Sequence, residues 1–323
     1  MDFQSLIQPV EAELKKLDAI ILDHLDTQLP FIKEVSEYII SGGGKRLRPL
    51  TAILMARALG YDKDDRAILL GGIIELLHTA TLLHDDVVDN SQMRRKKPTV
   101  NEVWGNSAAV LVGDFLISRT YQMSVRTRNI DVMQILADSS NTIAEGEVMQ
   151  LLSVRNAGVT EDMYNRIIYC KTAKLFECAS ESAAVLAETD QQKYQAAVTY
   201  GVEMGSAFQL VDDVLDYVGS AEEIGKNLGD DLAEGKPTLP IIYALNHGDE
   251  ADRKRLGEII KAGDASAIDE VTQIIHRCDA LSYTRDRIQR HVDGAKAALE
   301  IIGDNIYSQT LAKLADFTMS RSS

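Results

Sequence analysis

LLHDDVVD (residues 82–89) sets three aspartates, Asp85, Asp86 and Asp89, into an apolar run. Like charges this close repel, and burying them is costly unless a cation answers them. QLVDDVLDY (209–217) repeats the feature, with Asp212, Asp213 and Asp216 in the same DDxxD spacing 127 residues later. At about 100° per residue, each triplet falls within a ~100° arc of an α-helix. His78 shares the first arc and Gln209 the second. The flanks are apolar nearly all round, so both segments read as buried helices, each carrying an acidic strip.

One DDxxD on a polar helix is a solvated face or a helix end. Two copies on apolar helices ask for cations. Hard divalent ions bound by oxygen answer that need, and Mg²⁺ takes one or two carboxylates and completes its shell with water and substrate phosphates. The strips therefore imply a phosphorylated ligand bridged to the protein by metal.

Such a ligand also wants direct cationic donors. GGGKRLRP (42–49) carries Lys45, Arg46 and Arg48, and MRRKKP (93–98) carries Arg94, Arg95, Lys96 and Lys97. KTAKLFE (171–177) opens with Lys171 and Thr172, and the late loop holds Lys226 and Lys236. Each island alone is unremarkable. GGGKR lacks the Walker spacing, and a basic loop is usually just solvated. Their joint occurrence with two acidic strips carries the reading.

The rest of the chain supplies the frame. Its 323 residues are 45% hydrophobic, enough for a sizeable core, and its net charge of −15 disfavours binding to nucleic acid or anionic membranes. Cys170, Cys178 and Cys278 fit neither a zinc nor a CxxC pattern and read as thiols in a reducing compartment. No signal peptide is visible, and no stretch is expected to approach the ~20 apolar residues of a membrane span. A soluble cytoplasmic protein is expected.

Leu6, Val10, Leu14, Leu17 and Ile21 have the spacing of one amphipathic helix, and no proline falls between residues 99 and 236. Strand alternation is absent, so the expectation is all-α, a single domain over residues 1–323. Breaks fall at SGGGKR (41–46), at the basic loop SQMRRKKP (91–98), at VRNAGVTED (154–162) with Thr160 as helix cap, and at GKNLGDDLAEGKPTLP (225–240).

Taken in order, GGGKRLRP, HTATLLHDDVVD, MRRKKPT, LVGDF, EGEVMQL, KTAKLFE, GSAFQLVDDVLD and GKNLGDDLAEGKPTLP resemble the trans-isoprenyl diphosphate synthase (polyprenyl synthetase) family over essentially the whole chain. The resemblance implies a bundle of long antiparallel helices around a central cavity, usually a homodimer. It implies head-to-tail condensation of isopentenyl diphosphate onto an allylic diphosphate, with three Mg²⁺ ions between the acidic motifs. Asp85, Asp86 and Asp89 would hold metal on one side, and Asp212, Asp213 and Asp216 on the other. Lys45, Arg48, His78 and Arg95 would bind isopentenyl diphosphate. Arg94, Lys171, Thr172, Gln209, Lys226 and Lys236 would bind the allylic diphosphate. Asp85, Asp89, Lys171 and Asp212 would be the catalytic centre, while Asp230 and Asp231 would orient water or the lysines.

One departure shows: the family usually has glycine after the paired arginines, and here Lys96 follows Arg95. Family chain length depends on side chains just before the first motif. Ala80 and Thr81 are small there, so an open tunnel and a long product are expected, an octaprenyl chain serving as a quinone side chain and elongated from a primer such as farnesyl diphosphate. Met123, Met133 and Leu136 are candidates for the tunnel floor. A noncatalytic subunit of a heteromeric synthase, a terpene cyclase and an HD-type phosphohydrolase built on His84–Asp85 are the rivals. Two intact DDxxD motifs argue against all three.

Overall fold

The apolar run around the first aspartates folds as the helix Arg66–Val88, apolar on almost every side because almost every side is buried. It packs against Asn106–Arg126, Leu47–Ala58 and Glu11–His24. By length and mean hydropathy (1.5) this helix could cross a membrane, which corrects the expectation that no stretch approaches such a composition. Its best window is 72% buried inside the protein, as befits the central helix of a core.

This computed structural model describes residues 3–218 and 229–320, so Lys226 lies outside the described residues. The described residues form helices joined by loops, with one two-stranded hairpin, Met93–Arg94 paired with Lys97–Pro98. The chain forms two units: Met1–Asp138 with Leu175–Val198 and Ala298–Lys313, and Ser139–Lys174 with Thr199–Ala297 and Leu314–Ser323.

In the first unit the expected N-terminal helix is divided. Phe3–Ile7 and Glu11–His24 are helical, and Gln8–Val10 between them is a 3-10 turn. Pro9 sits in that turn, and its missing N–H interrupts the α-helical ladder. Leu6, Val10, Leu17 and Ile21 are buried as the spacing predicts. The basic loop is tighter than expected, because its strands are joined by the two-residue turn Arg95–Lys96, both at positive φ (51° and 65°). Positive φ at both central residues is what a type I′ hairpin turn demands.

In the second unit the proline-free stretch yields long helices, among them Ile130–Ser153 and Gln191–Val218, which begin in the first unit. Thr160 caps the helix Glu161–Ile168, its hydroxyl accepting from the Met163 N–H at 3.2 Å. That helix does not run straight into Lys174–Leu186. Residues Tyr169–Ala173 form a π turn, and Lys171 and Thr172 lie on it. Single π turns inside helices recur at functional sites because they re-aim side chains.

Candidate active site

In the first unit, Asp86 is buried, and its carboxylate accepts from Arg94 Nε of the hairpin at 2.9 and 3.1 Å and forms an ion pair with Arg94 Nη2 at 2.7 Å. Burial raises the Asp86 pKa, and Arg94 pulls the other way. The fork fixes the hairpin onto the acidic helix. Asp85 is half-buried, and Asp89 forms the helix C-cap. His84 turns away from the strip. Its ring lies on Gly113, with Nε2 3.2 Å from the Val110 carbonyl and 3.5 Å from Asp114. LVGDF thus seats His84, and the HD pair splits between two neighbours.

The isopentenyl-side candidates meet one helical turn to two turns earlier. Arg48 Nη1 lies 3.2 Å from His78 Nε2, and the Arg48 guanidinium stacks 4.7 Å from the Phe176 ring. Burial and the neighbouring charges of Arg48, Arg95 and Arg94 hold the His78 pKa well below its ordinary value, so His78 is neutral and accepts from Arg48. The Arg95 guanidinium lies against Gly44: a Cβ there would stand 2.7 Å from it, and the backbone has φ +146°. Only glycine suits that position. Lys45 is the next residue along this loop and is exposed. Sequence reasoning missed Glu75. It is buried three residues before His78, its pKa raised by desolvation against the pull of Arg46, Arg95 and Arg48. A lone acid three residues from His78 in an apolar helix was the available signal.

In the second unit, Asp213 and Asp216 are buried and Asp212 is half-buried. Neutral donors answer Asp213. Tyr164 donates its hydroxyl proton to one oxygen, and Gln209 Nε2 donates to the other at 2.8 Å. Thr172 donates to Gln209 Oε1 at 2.7 Å, which links the π turn to the acidic strip. Burial and the charge of Asp231 push the Asp213 pKa up to about 7 against those bonds. Lys171 Nζ donates to Glu147 at 2.8 Å, and Lys236 pairs with Glu234. The Asp231 carbonyl accepts from the Lys236 N–H at 2.8 Å. EGEVMQL packs on the π turn through Gly146, where a Cβ would stand 2.7 Å from Cys170 Cβ. Tyr164, Glu147 and Gln150 are site neighbours that sequence reasoning left unassigned.

Each unit therefore carries a DDxxD strip and its own basic side chains. The sequence profile of the polyprenyl synthetase family matches residues 29–278. The chain belongs to the polyprenyl synthetase family. It is 40% identical to octaprenyl diphosphate synthase of Escherichia coli (strain K12) over 99% of each chain. It is 43% identical to that of Haemophilus influenzae over 99% of this chain and 96% of the relative. An all-trans-nonaprenyl-diphosphate synthase (geranyl-diphosphate specific) of Rhodobacter capsulatus is 39% identical over 99% of each. The structure of a polyprenyl synthase from Caulobacter crescentus CB15, complexed with calcium and isoprenyl diphosphate, is similar at a TM-score of 0.95 and 39% identity, covering 100% of this chain and 98% of that one.

The polyprenyl synthetase donor set suits a hard cation, since the strips offer carboxylate oxygens alone. Among the described residues no group of three or more His, Cys, Asp and Glu is gathered as a ready-made cage. That arrangement fits Mg²⁺, which relies on substrate phosphates to complete its octahedron.

Proposed function

We propose that this prenyltransferase condenses isopentenyl diphosphate with an allylic diphosphate, such as farnesyl diphosphate, to make all-trans-octaprenyl diphosphate for a quinone side chain. The observation that carries the reading is the presence of two separate cation clusters, one per diphosphate. Arg48, His78 and Arg95, with Lys45 beside them, form the isopentenyl cluster in one unit. Lys171 and Lys236, with Thr172 and Gln209 nearby, form the allylic cluster in the other. A cyclase needs only the second.

The residues divide the work by chemistry. Asp85, Asp86 and Asp89 in one unit, and Asp212, Asp213 and Asp216 in the other, would hold Mg²⁺, which would supply Lewis-acid neutralisation of the departing diphosphate. Asp86 and Asp213 are also tied to Arg94 and Tyr164, which fixes the strips. Lys171 and Lys236 take up charge on the leaving group. Neutral His78 accepts from Arg48 and aims its guanidinium. Apolar helix walls exclude the water that would quench an allylic cation.

Ala80 is fully buried, and the Thr81 hydroxyl bonds back to the His78 carbonyl at 2.8 Å, so neither projects a bulky group. Met123 lies against Gly72, eight residues or about 12 Å before Ala80, and is the best-supported tunnel-floor candidate. The reading includes one synthetase domain, a cytoplasmic location supported by three cysteines that suit a reducing compartment, and a homodimer. Helix Asn106–Arg126 exposes Val110, Leu111, Tyr121 and Val125, an apolar stripe that supports pairing with a second copy.

Incubation with farnesyl diphosphate, isopentenyl diphosphate and Mg²⁺, read by mass spectrometry, is expected to give octaprenyl diphosphate. Absence of elongation from any allylic primer would refute the synthase reading. Ala80→Tyr is expected to shorten the product; an active variant with unchanged product length would break the open-tunnel reading.

A further inference from the structure

We propose that Gln150 is a positioning residue that holds Lys171 and Lys236 as a matched pair for the two phosphoryl groups of one diphosphate; this rests on the allylic-site reading above. With its amide oxygen turned toward donors, Gln150 accepts from Lys171 Nζ at 3.1 Å and from Lys236 Nζ at 3.1 Å. The opposite orientation would set the amide nitrogen against donors and the oxygen against acceptors, so hydrogen bonding selects this one. Sharing one acceptor keeps the two ammonium groups within about 6 Å of each other, the sum of two such bonds. That span suits neighbouring phosphoryl groups.

Local folding makes the arrangement possible. Gly146, Glu147 and Gln150 share one ~100° arc of the helix Ile130–Ser153. Gly146 lets the backbone of the π turn come close, a Cβ there standing 3.0 Å from the Lys171 nitrogen. The π turn aims Lys171 back at Glu147 and Gln150. Glu147 and Glu234 each hold one lysine by charge. Gln150 joins both, and it is neutral. A third carboxylate would cancel more of the positive charge a diphosphate is meant to meet. An amide oxygen orients the ammonium groups and leaves their charge in place.

The test is steady-state kinetics of Gln150→Leu with farnesyl diphosphate and isopentenyl diphosphate, together with Lys236→Ala and the double variant. The allylic KM is expected to rise about tenfold in Gln150→Leu, with the isopentenyl KM unchanged and kcat within about threefold. In the Lys236→Ala background the further rise should vanish, because the pair is already broken. Should Gln150→Leu fold poorly, Gln150→Met matches the native side chain in length, lacks the acceptor and carries the same expectation. An unchanged allylic KM overturns the proposal, as do equal rises in both KM values or an undiminished effect in the Lys236→Ala background. If Lys171→Ala and Lys236→Ala themselves leave the allylic KM unaltered, the allylic-site reading falls first, which separates the two failures.

Discussion

The two acidic strips share a spacing and differ in what answers their middle aspartate. Asp86 faces a guanidinium, Arg94, in a two-pronged fork. Asp213 faces a phenol and an amide, and its carboxyl pKa is lifted to about 7 by burial and by Asp231. The basic groups differ in parallel. Arginines crowd around buried Glu75 and neutral His78 in the first unit, while two lysines share an amide in the second. In the first strip the buried middle carboxylate is compensated by a full positive charge. In the second, the buried middle carboxylate is met by neutral donors, and burial with the charge of Asp231 raises its pKa.

Removal of a carboxylate proposed to hold metal, from either strip, should have the largest effect. Asp85→Asn and Asp212→Asn are each expected to lower kcat/KM on the order of 10³-fold, since Lewis-acid stabilisation supplies several kcal/mol to the transition state. A loss confined to one strip would show that the other is structural.

Stability should separate the strips next. Arg94→Leu strands a buried carboxylate and is expected to cost about 3 kcal/mol in denaturant unfolding. Tyr164→Phe removes one neutral donor while Gln209 remains, and should cost about 1–2 kcal/mol. Equal costs would erase the contrast between charged and neutral compensation.

The hairpin offers the smallest effect. Lys96 holds φ +65°, a left-handed conformation that costs a non-glycine residue about 1 kcal/mol. Lys96→Gly is expected to stabilise the protein by that order in the same unfolding measurement; destabilisation would mean that the lysine side chain makes a compensating contact.

Much of this was legible before the fold was known. The paired DDxxD spacing named both acidic helices, and the apolar flanks gave their burial. Thr160 announced its helix start because capping chemistry is local. The features that escaped depend on partners distant in sequence. YCKTA carries no mark of a π turn, since its shape follows from the close approach of Gly146. Arg95 and Lys96 hide a hairpin turn that glycine or asparagine would have advertised. Glu75, Gln150 and Tyr164 look like stray polar residues until a guanidinium, two ammonium groups and a carboxylate stand opposite them. Pro9 was visible, and its break in the first helix was readable from the missing N–H alone.

Since no ready-made cage of three or more ligands is gathered among the described residues, metal and diphosphate are expected to enter together. Isothermal titration of Mg²⁺ with and without inorganic diphosphate tests it directly. Weak Mg²⁺ binding alone, strengthened by tenfold or more when diphosphate is present, is the predicted result. Tight Mg²⁺ binding that diphosphate leaves unchanged would contradict it.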